Sequence, residues 1–400
     1  MPRGAADPRL AIWAYPWDVL DLGPDSVSRE LRERAGLNGI NLATAYHAGR
    51  FFQPRSPRRK TFLPEDGTVY FQPDPKLWAD RRLTPQVAAI VAEGDVLRGL
   101  TVGRERSGLS VACWTVCLHN MRLGQLHPDA CTRNAFGEPS LFNLCPSHPE
   151  VRAYARTLVR DLSIGYRPDI LQLETPGFMP YAHGYHHEKD GVGLTAEDDF
   201  LLSLCFCDSC TEAAHSAGVD AEAARSTVRR WIAETSERAV PAPRWPDFPA
   251  RGPATFADHP EVEAYVRWRC APVTSLVAEL RDAAHPDVRI DVIDDGWRGG
   301  CDLQAVKRSC DGVVFCAYDR SAEAVGADTA ALHAVLGDGV KLGVGMRLFH
   351  PEMSSVDDVV ARSLVAIRAG ATELDYYNYG LVPAARLDWI RAAADALRSL

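Results

Sequence analysis

No stretch of this chain approaches the ~20 consecutive apolar residues that a membrane-spanning helix needs, so no membrane partner is expected. Residues 1–7 lack the apolar segment of a secretory signal, which makes the cytoplasm the expected location. Eleven cysteines in such a setting read as reduced thiols or metal ligands, not as disulfides. An excess of positive charge is missing too: the formal net charge is −9, which argues against nonspecific binding to nucleic acid. Internal repeats, heptads and low-complexity tracts are absent, which argues against a solenoid or a coiled coil. What remains is an ordinary globular composition, 46% hydrophobic and 24% charged, and 400 residues can bury a large core in one or two domains.

Short apolar strands alternate with amphipathic segments from end to end. The candidate strands are Leu10–Ala14, Gly39–Ala45, Ser110–Val116, Ile170–Glu174, Arg289–Ile293, Gly312–Ala317, Lys341–Met346 and Glu373–Tyr377. Their nearly continuous apolar character suits parallel strands covered on both faces. Helices are expected between them, at Ser26–Arg34, Gln86–Glu93 (started by Thr84 and Pro85), Pro149–Leu162, Glu261–Ala284, Ala322–Leu336, Val356–Ala369 and Ala384–Leu397. Eight right-handed βα units close into a (β/α)8 barrel, the TIM-barrel architecture, here spanning residues 1–400 as one unit. Two connections are too long to be turns. One follows the second strand, from Tyr46 to about Leu83. The other, residues 175–260, follows the fourth, and long segments in these places usually build a pocket or a lid.

The fourth strand ends on an acid. In Asp169-Ile170-Leu171-Gln172-Leu173-Glu174, Leu171 and Leu173 share one face while Ile170, Gln172 and Glu174 share the other. A carboxylate at the carboxyl end of a barrel strand sits where such barrels place their chemistry. Further acids end the fifth and sixth strands: Asp294 and Asp295 in Ile293-Asp294-Asp295-Gly296, and Asp319 after Tyr318. Glycoside hydrolysis needs two carboxyl groups flanking one bond. Glu174 with Asp319 is the preferred pair, and Glu174 with Asp294 or Asp295 the second choice. Each aspartate has a plain alternative role, the first two as turn formers and Asp319 as a helix cap.

Other strand ends carry sugar-binding residue types: Trp13 and Tyr15, Tyr46 and His47, Trp114 and His119, and Tyr377 and Asn378. Aromatic rings stack on the apolar faces of sugars, and His and Asn bond to their hydroxyls. The loop after Glu174 adds His183, His186 and His187, and Arg347 ends the seventh strand, where it can clamp an anionic group or form a structural ion pair. Cys205-Phe206-Cys207-Asp208-Ser209-Cys210 sets three thiols close together. Cys145 is the candidate fourth ligand and Cys131 its substitute. Four thiolates make a closed structural zinc site that staples loops and leaves no position for chemistry, although buried free thiols would also satisfy the pattern.

The barrel acid, the Cys-x-Cys-x-x-Cys run and the segment Asn143-Leu144-Cys145-Pro146-Ser147-His148-Pro149-Glu150 together resemble the glycoside hydrolase family 42 β-galactosidases, over residues 108 to 212 in detail. The resemblance implies structural zinc on Cys145, Cys205, Cys207 and Cys210, Glu174 as general acid/base, and a homo-oligomer, since zinc-bearing relatives are often trimers. It stops short at two places. Leu173 stands where the family has Asn, and the seventh strand ends Gly345-Met346-Arg347-Leu348 without the family's nucleophilic Glu. A divergent glycosidase acting on a small saccharide or glycoconjugate is therefore the leading expectation. The alternatives are a metal-dependent sugar isomerase or epimerase using Glu174, Asp294, Asp319 and His119, and a catalytically silent saccharide-binding barrel.

Overall fold

A computed structural model describes residues 7–183, 187 and 189–400. Eight parallel strands form the barrel: β1 Arg9–Ala14, β2 Gly39–Tyr46, β3 Ser110–Val116, β4 Ile170–Glu174, β5 Arg289–Ile293, β6 Gly312–Cys316, β7 Lys341–Arg347 and β8 Glu373–Tyr377. Each strand pairs with its neighbours in sequence, and β1 pairs with both β2 and β8, which closes the ring. The chain is a (β/α)8 barrel, and the expected strands differ from the observed ones by a residue or so at their ends. Among the described residues no helix is long and apolar enough to cross a membrane.

Alternation along the strands divides the side chains cleanly. Leu171 and Leu173 of β4 point outward into the main apolar core, with Leu10 and Ile12 of β1, Ile40 and Leu42 of β2, and Val344 and Leu374. Helix Pro149–Gly165 covers that surface with Val151, Ala155, Leu158, Val159 and Leu162, the stripe expected from its 3.6-residue period. Inward positions at the amino end of the barrel are polar. Asp375, fully buried, receives bonds from Arg9 Nη1 at 3.2 Å, Asn41 Nδ2 at 2.7 Å and Gln172 Nε2 at 3.3 Å. Arg289 pairs with Asp291 at 2.7 Å and with Glu373 at 2.5 Å. Above this layer Trp13 donates its indole N–H to Gln172 Oε1 at 3.0 Å.

Two expected helices differ from the structure. Gln86–Glu93 is not an α-helix: Gln86–Val87 forms a short strand beside Thr68–Val69, and Ala89–Glu93 makes a 3-10 turn. The helix before β3 is Val96–Ser107, framed by Asp95, whose carboxylate accepts from Arg98 N at 3.0 Å, and by Gly108 at φ +64°. The segment expected as one helix over Glu261–Ala284 is two, Pro260–Trp268 and Cys270–Ala283. Pro272 explains the break, because its ring has no N–H for the carbonyl of Trp268 and collides with it. Between β4 and these helices lie Ala196–Ser203, Asp208–Ser216 and Ala221–Glu237, gathered round Phe200, Phe206, Trp231 and Phe256.

Replacing Asp375 by Ala should cost about 3–5 kcal/mol, because Arg9 would then be left partly uncompensated in the barrel. Chemical denaturation of the variant measures this, and a loss under 1 kcal/mol would mean the polar layer is not structural.

Candidate active site and cysteine cluster

The carboxyl ends of β4 and β5 meet through their loops. After Glu174 the backbone turns sharply at Thr175, which sits at φ +48°, in the left-handed region that disfavours β-branched residues. Phe178 N then donates to Gly299 O at 2.9 Å, clasping the β4 loop to the β5 loop. The clasp needs glycine at 177, since a Cβ there would lie 2.3 Å from Gly299 O. This contact sets Glu174 and Asp295 on the wall of one cavity of about 230 Å³, which Phe178, His183, Asp199 and Arg298 also line. A larger hollow of about 770 Å³ adjoins it, sharing His183 and Asp199 and reaching Tyr181 and Glu138.

Burial dominates the electrostatics. Glu174 is pushed up to about 7 by desolvation, opposed by the Trp114 indole N–H, which donates to its carboxylate. Asp295, open to the cavity yet surrounded by protein, is pushed up to about 8 by desolvation, then by the charges of Glu174 and Asp294. Both carboxyl groups are thus raised toward neutrality, and the charge of Glu174 acts on Asp295. Asp294 is also raised by burial, but its carboxylate accepts from Gly296 N at 2.8 Å and forms the turn.

Of the residues read as sugar-binding, the structure brings His183 and Asp295 to the cavity with Glu174. His119 lies against it indirectly, its ring 4.4 Å from that of His47 and 4.8 Å from that of His183. Burial and the two neighbouring imidazoles pull His119 down to about 2, so it stays neutral. Trp13, Tyr15, Tyr46, Trp114 and Tyr377 form one aromatic cluster packed across the barrel mouth. Within it the Tyr15 hydroxyl lies 3.1 Å from that of Tyr46 and 2.5 Å from that of Tyr377. These rings are packing for one another and do not line the cavity; the exception in role is Trp114, which holds Glu174.

Three further residues stand apart from the cavity. Asp319 is exposed in the turn after β6 and lies outside the cavity, and it is not a cap either: Ser321 caps the following helix. Arg347 pairs with Glu352 at 3.1 Å and stacks on Tyr318, which favours the structural ion pair over an anion clamp. Asn378 is fully buried and accepts from Gly380 N at 3.0 Å in a turn. His186 lies outside the described residues. Phe178, Asp199 and Arg298 were not foreseen. The Thr-Pro-Gly and Asp-Asp-Gly turns flanking Phe178 and Arg298 were the available signal, whereas nothing local marks Asp199.

The cysteines assemble as expected. Cys145 follows the strand Pro139–Leu144, Cys205 and Cys207 occupy the turn before helix Asp208–Ser216, and Cys210 lies in that helix's first turn. Cys145 Sγ is 3.5 Å from those of Cys207 and Cys210 and 3.9 Å from that of Cys205, and the four sulfurs lie within 4.8 Å of one another. Tetrahedral coordination at a metal–sulfur distance of ~2.3 Å puts the sulfurs ~3.8 Å apart, so this buried cluster can hold a metal ion. Arg133 N donates to Cys205 Sγ at 3.4 Å, a contact suited to a thiolate. Cys131 is excluded as the fourth member, because its thiol faces Gly124 O and His127 O.

No protein-family model matches the chain. No curated protein matches it in sequence. Solved structures do match in fold. The glycoside hydrolase domain of PgaB (BpsB) from Bordetella bronchiseptica aligns with a TM-score of 0.54 at 15% identity, over 98% of this chain and 97% of that one. The β-galactosidase of Bacillus circulans sp. alkalophilus aligns with a TM-score of 0.57 at 14% identity, over 98% of this chain and 56% of that one. The β-galactosidase of Marinomonas ef1 aligns with a TM-score of 0.55 at 13% identity, over 98% and 62%. The chain thus spans a little over half the length of these β-galactosidases. It has the barrel fold seen in glycoside hydrolases, at identities that speak to fold alone.

Two outcomes follow from this geometry. Carboxyl groups whose pKa is raised by folding favour the native state when protonated, so their contribution is present below the unfolded pKa and is lost as pH rises through the folded one. That window runs from about 4 to about 8 for Asp295 and Glu174. Asp295→Asn should therefore raise stability at pH 8 by at most about 1 kcal/mol relative to the parent, because solvent reaching Asp295 screens the effect, with little gain at pH 4. Thermal melts across that range measure it, and a gain independent of pH would contradict the desolvated pair. Gly177→Ala should lower stability by about 1–3 kcal/mol through collision with the Gly299 carbonyl, read by the same melts.

Proposed function

We propose that the chain hydrolyses a glycosidic bond of a small saccharide or glycoconjugate, with Glu174 as general acid/base and Asp295 as its partner carboxylate. The observation that carries this reading is the pair itself: two carboxyl groups at adjacent strand ends on the wall of one cavity, Glu174 half-buried and Asp295 open to that cavity, both raised toward neutrality. At neutral pH such a pair holds about one proton between its members. Protonated Glu174 gives that proton to the leaving oxygen, and the Trp114 N–H stabilises the carboxylate left behind. The reactive form has the proton on Glu174 and Asp295 ionised, the minor of the two single-proton forms because Asp295 titrates higher, and in it Asp295 acts on the anomeric carbon directly or through water. Neutral imidazoles at His183 and His119 offer donors and acceptors for sugar hydroxyls, and the adjoining hollow gives space beyond the cleaved bond.

Zinc is the ion the four cysteines suit. Cys145, Cys205, Cys207 and Cys210 would supply all four positions of a tetrahedral site, which leaves none for substrate and makes the ion a staple between the β3 and β4 connections. The fold shared with glycoside hydrolases and the family 42 cysteine motif support the class, while the placement of Asp295 on β5 departs from that family's strand-seven nucleophile. An isomerase reading has less behind it. Its ligand set of Glu174, Asp294, Asp319 and His119 is not drawn together, since Asp319 is exposed and Asp294 is spent on a turn.

Glu174→Gln and Asp295→Asn should each lower turnover of a hydrolysed glycoside by about 10²–10⁴-fold without loss of folding, whereas Asp319→Asn should leave it within about threefold. Steady-state kinetics over a panel of aryl glycosides and oligosaccharides, with circular dichroism as the folding control, decides the matter. Undiminished turnover in Asp295→Asn sinks the pair, and saccharide binding with no turnover by the parent favours the silent barrel.

A further inference from the structure

Arg269 stands at the break between helices Pro260–Trp268 and Cys270–Ala283 and is only 1% exposed. Its Nη1 donates to Arg298 O at 2.6 Å, while Nε and Nη2 have no hydrogen-bond partner. The guanidinium lies over the ring of Phe178 at 4.3 Å and near that of Phe200 at 5.3 Å. No carboxylate among the described residues makes an ion pair with it, burial disfavours its charged form, and the Phe178 ring on which it rests packs directly with Cys145, Cys205, Cys207 and Cys210. A buried cation without a counter-ion is strongly destabilising. Four neutral thiols would supply none. Four thiolates round a divalent ion carry a net charge of −2 and would supply it, through the same apolar layer that Phe178 shares with Cys145, Cys205, Cys207 and Cys210.

We propose that Arg269 is the counter-charge of a metal-loaded four-cysteine centre, and that it links occupancy of that centre to the wall of the cavity containing Glu174. Phe178 and Phe200, the two rings on which the guanidinium rests, both line that cavity, and Arg298, whose carbonyl it holds, lines it too. Losing the ion leaves Arg269 as a lone charge beneath this wall, and the wall yields. Arg269 is thus a positioning residue. The proposal rests on the metal reading of the cysteines and is independent of which reaction the cavity performs.

The test uses the full chain, zinc as the metal probe, and variants Arg269→Met and Arg269→Lys. The parent should bind one zinc ion per chain by elemental analysis. Arg269→Met should bind it ten- to a hundredfold more weakly in competition with a chromophoric chelator, and Arg269→Lys, which keeps the charge, within about threefold of the parent. Coupling is reciprocal, so stripping zinc should lower the melting temperature of the parent more than that of Arg269→Met. Equal zinc affinities in parent and Arg269→Met, equal chelator-induced shifts, or a parent that binds no zinc would each overturn the proposal. If Arg269→Met does not fold, Arg269→Gln replaces it. A Lys variant as weak as the neutral one would show that packing, not charge, is responsible. None of these readouts involves turnover, so failure of the glycosidase reading leaves the result intact.

Discussion

Ring closure is the constraint on which everything else depends. Because β1 hydrogen-bonds to both β2 and β8, none of the eight barrel strands has a free edge, and every inward side chain must converge on one axis. At the amino end that convergence is met by a polar layer centred on Asp375 and Arg289, in place of the branched apolar residues that commonly fill such barrels. At the carboxyl end it is met by tryptophan and tyrosine rings. Between the two, Trp13 and Gln172 hand the hydrogen-bond network on from the buried ions to the aromatic layer.

The aromatic layer explains why the acids behave as they do. Trp114, packed against Trp13, Tyr15 and Tyr46, cannot move away from Glu174, so the carboxylate is given one fixed donor and little water. The clasp between Phe178 and Gly299 then closes the far side and turns Asp295 toward the same space. Desolvation acts on both groups, and the charge of Glu174 raises Asp295 further. The cysteine cluster lies behind this clasp and shares Phe178 with it, so the stapled loops and the cavity wall are one packed unit.

The fold was almost wholly legible. Period-two and period-3.6 patterns are local, and eight strands with their covering helices carry them strongly. Where sequence pattern and structure differ, a competing local signal decides: Asp95, not Thr84-Pro85, starts the helix before β3, and Pro272 breaks what the pattern reads as one helix. The cysteine cluster was equally legible, because three of its members lie within six residues and the fourth sits in a recognisable segment. The partner of Glu174 was harder. Asp294, Asp295 and Asp319 all end strands, and their difference is one of placement: Asp294 turns back to Gly296, Asp319 is exposed away from the cavity, and Asp295 is exposed on the cavity wall beside Glu174.

Sequence alone determined the strands, the closed barrel, the acid at the end of the fourth strand and the identity of the four clustered thiols, since each is written in spacing along the chain. Tertiary structure decided which second acid faces Glu174, which aromatic rings pack and which line the hollow, and where the buried Arg269 rests. The physical reason is that solvation and direction belong to groups brought together from distant strands. Burial that moves a carboxyl pKa, or a carbonyl that admits only glycine opposite, does not exist until the ring has closed.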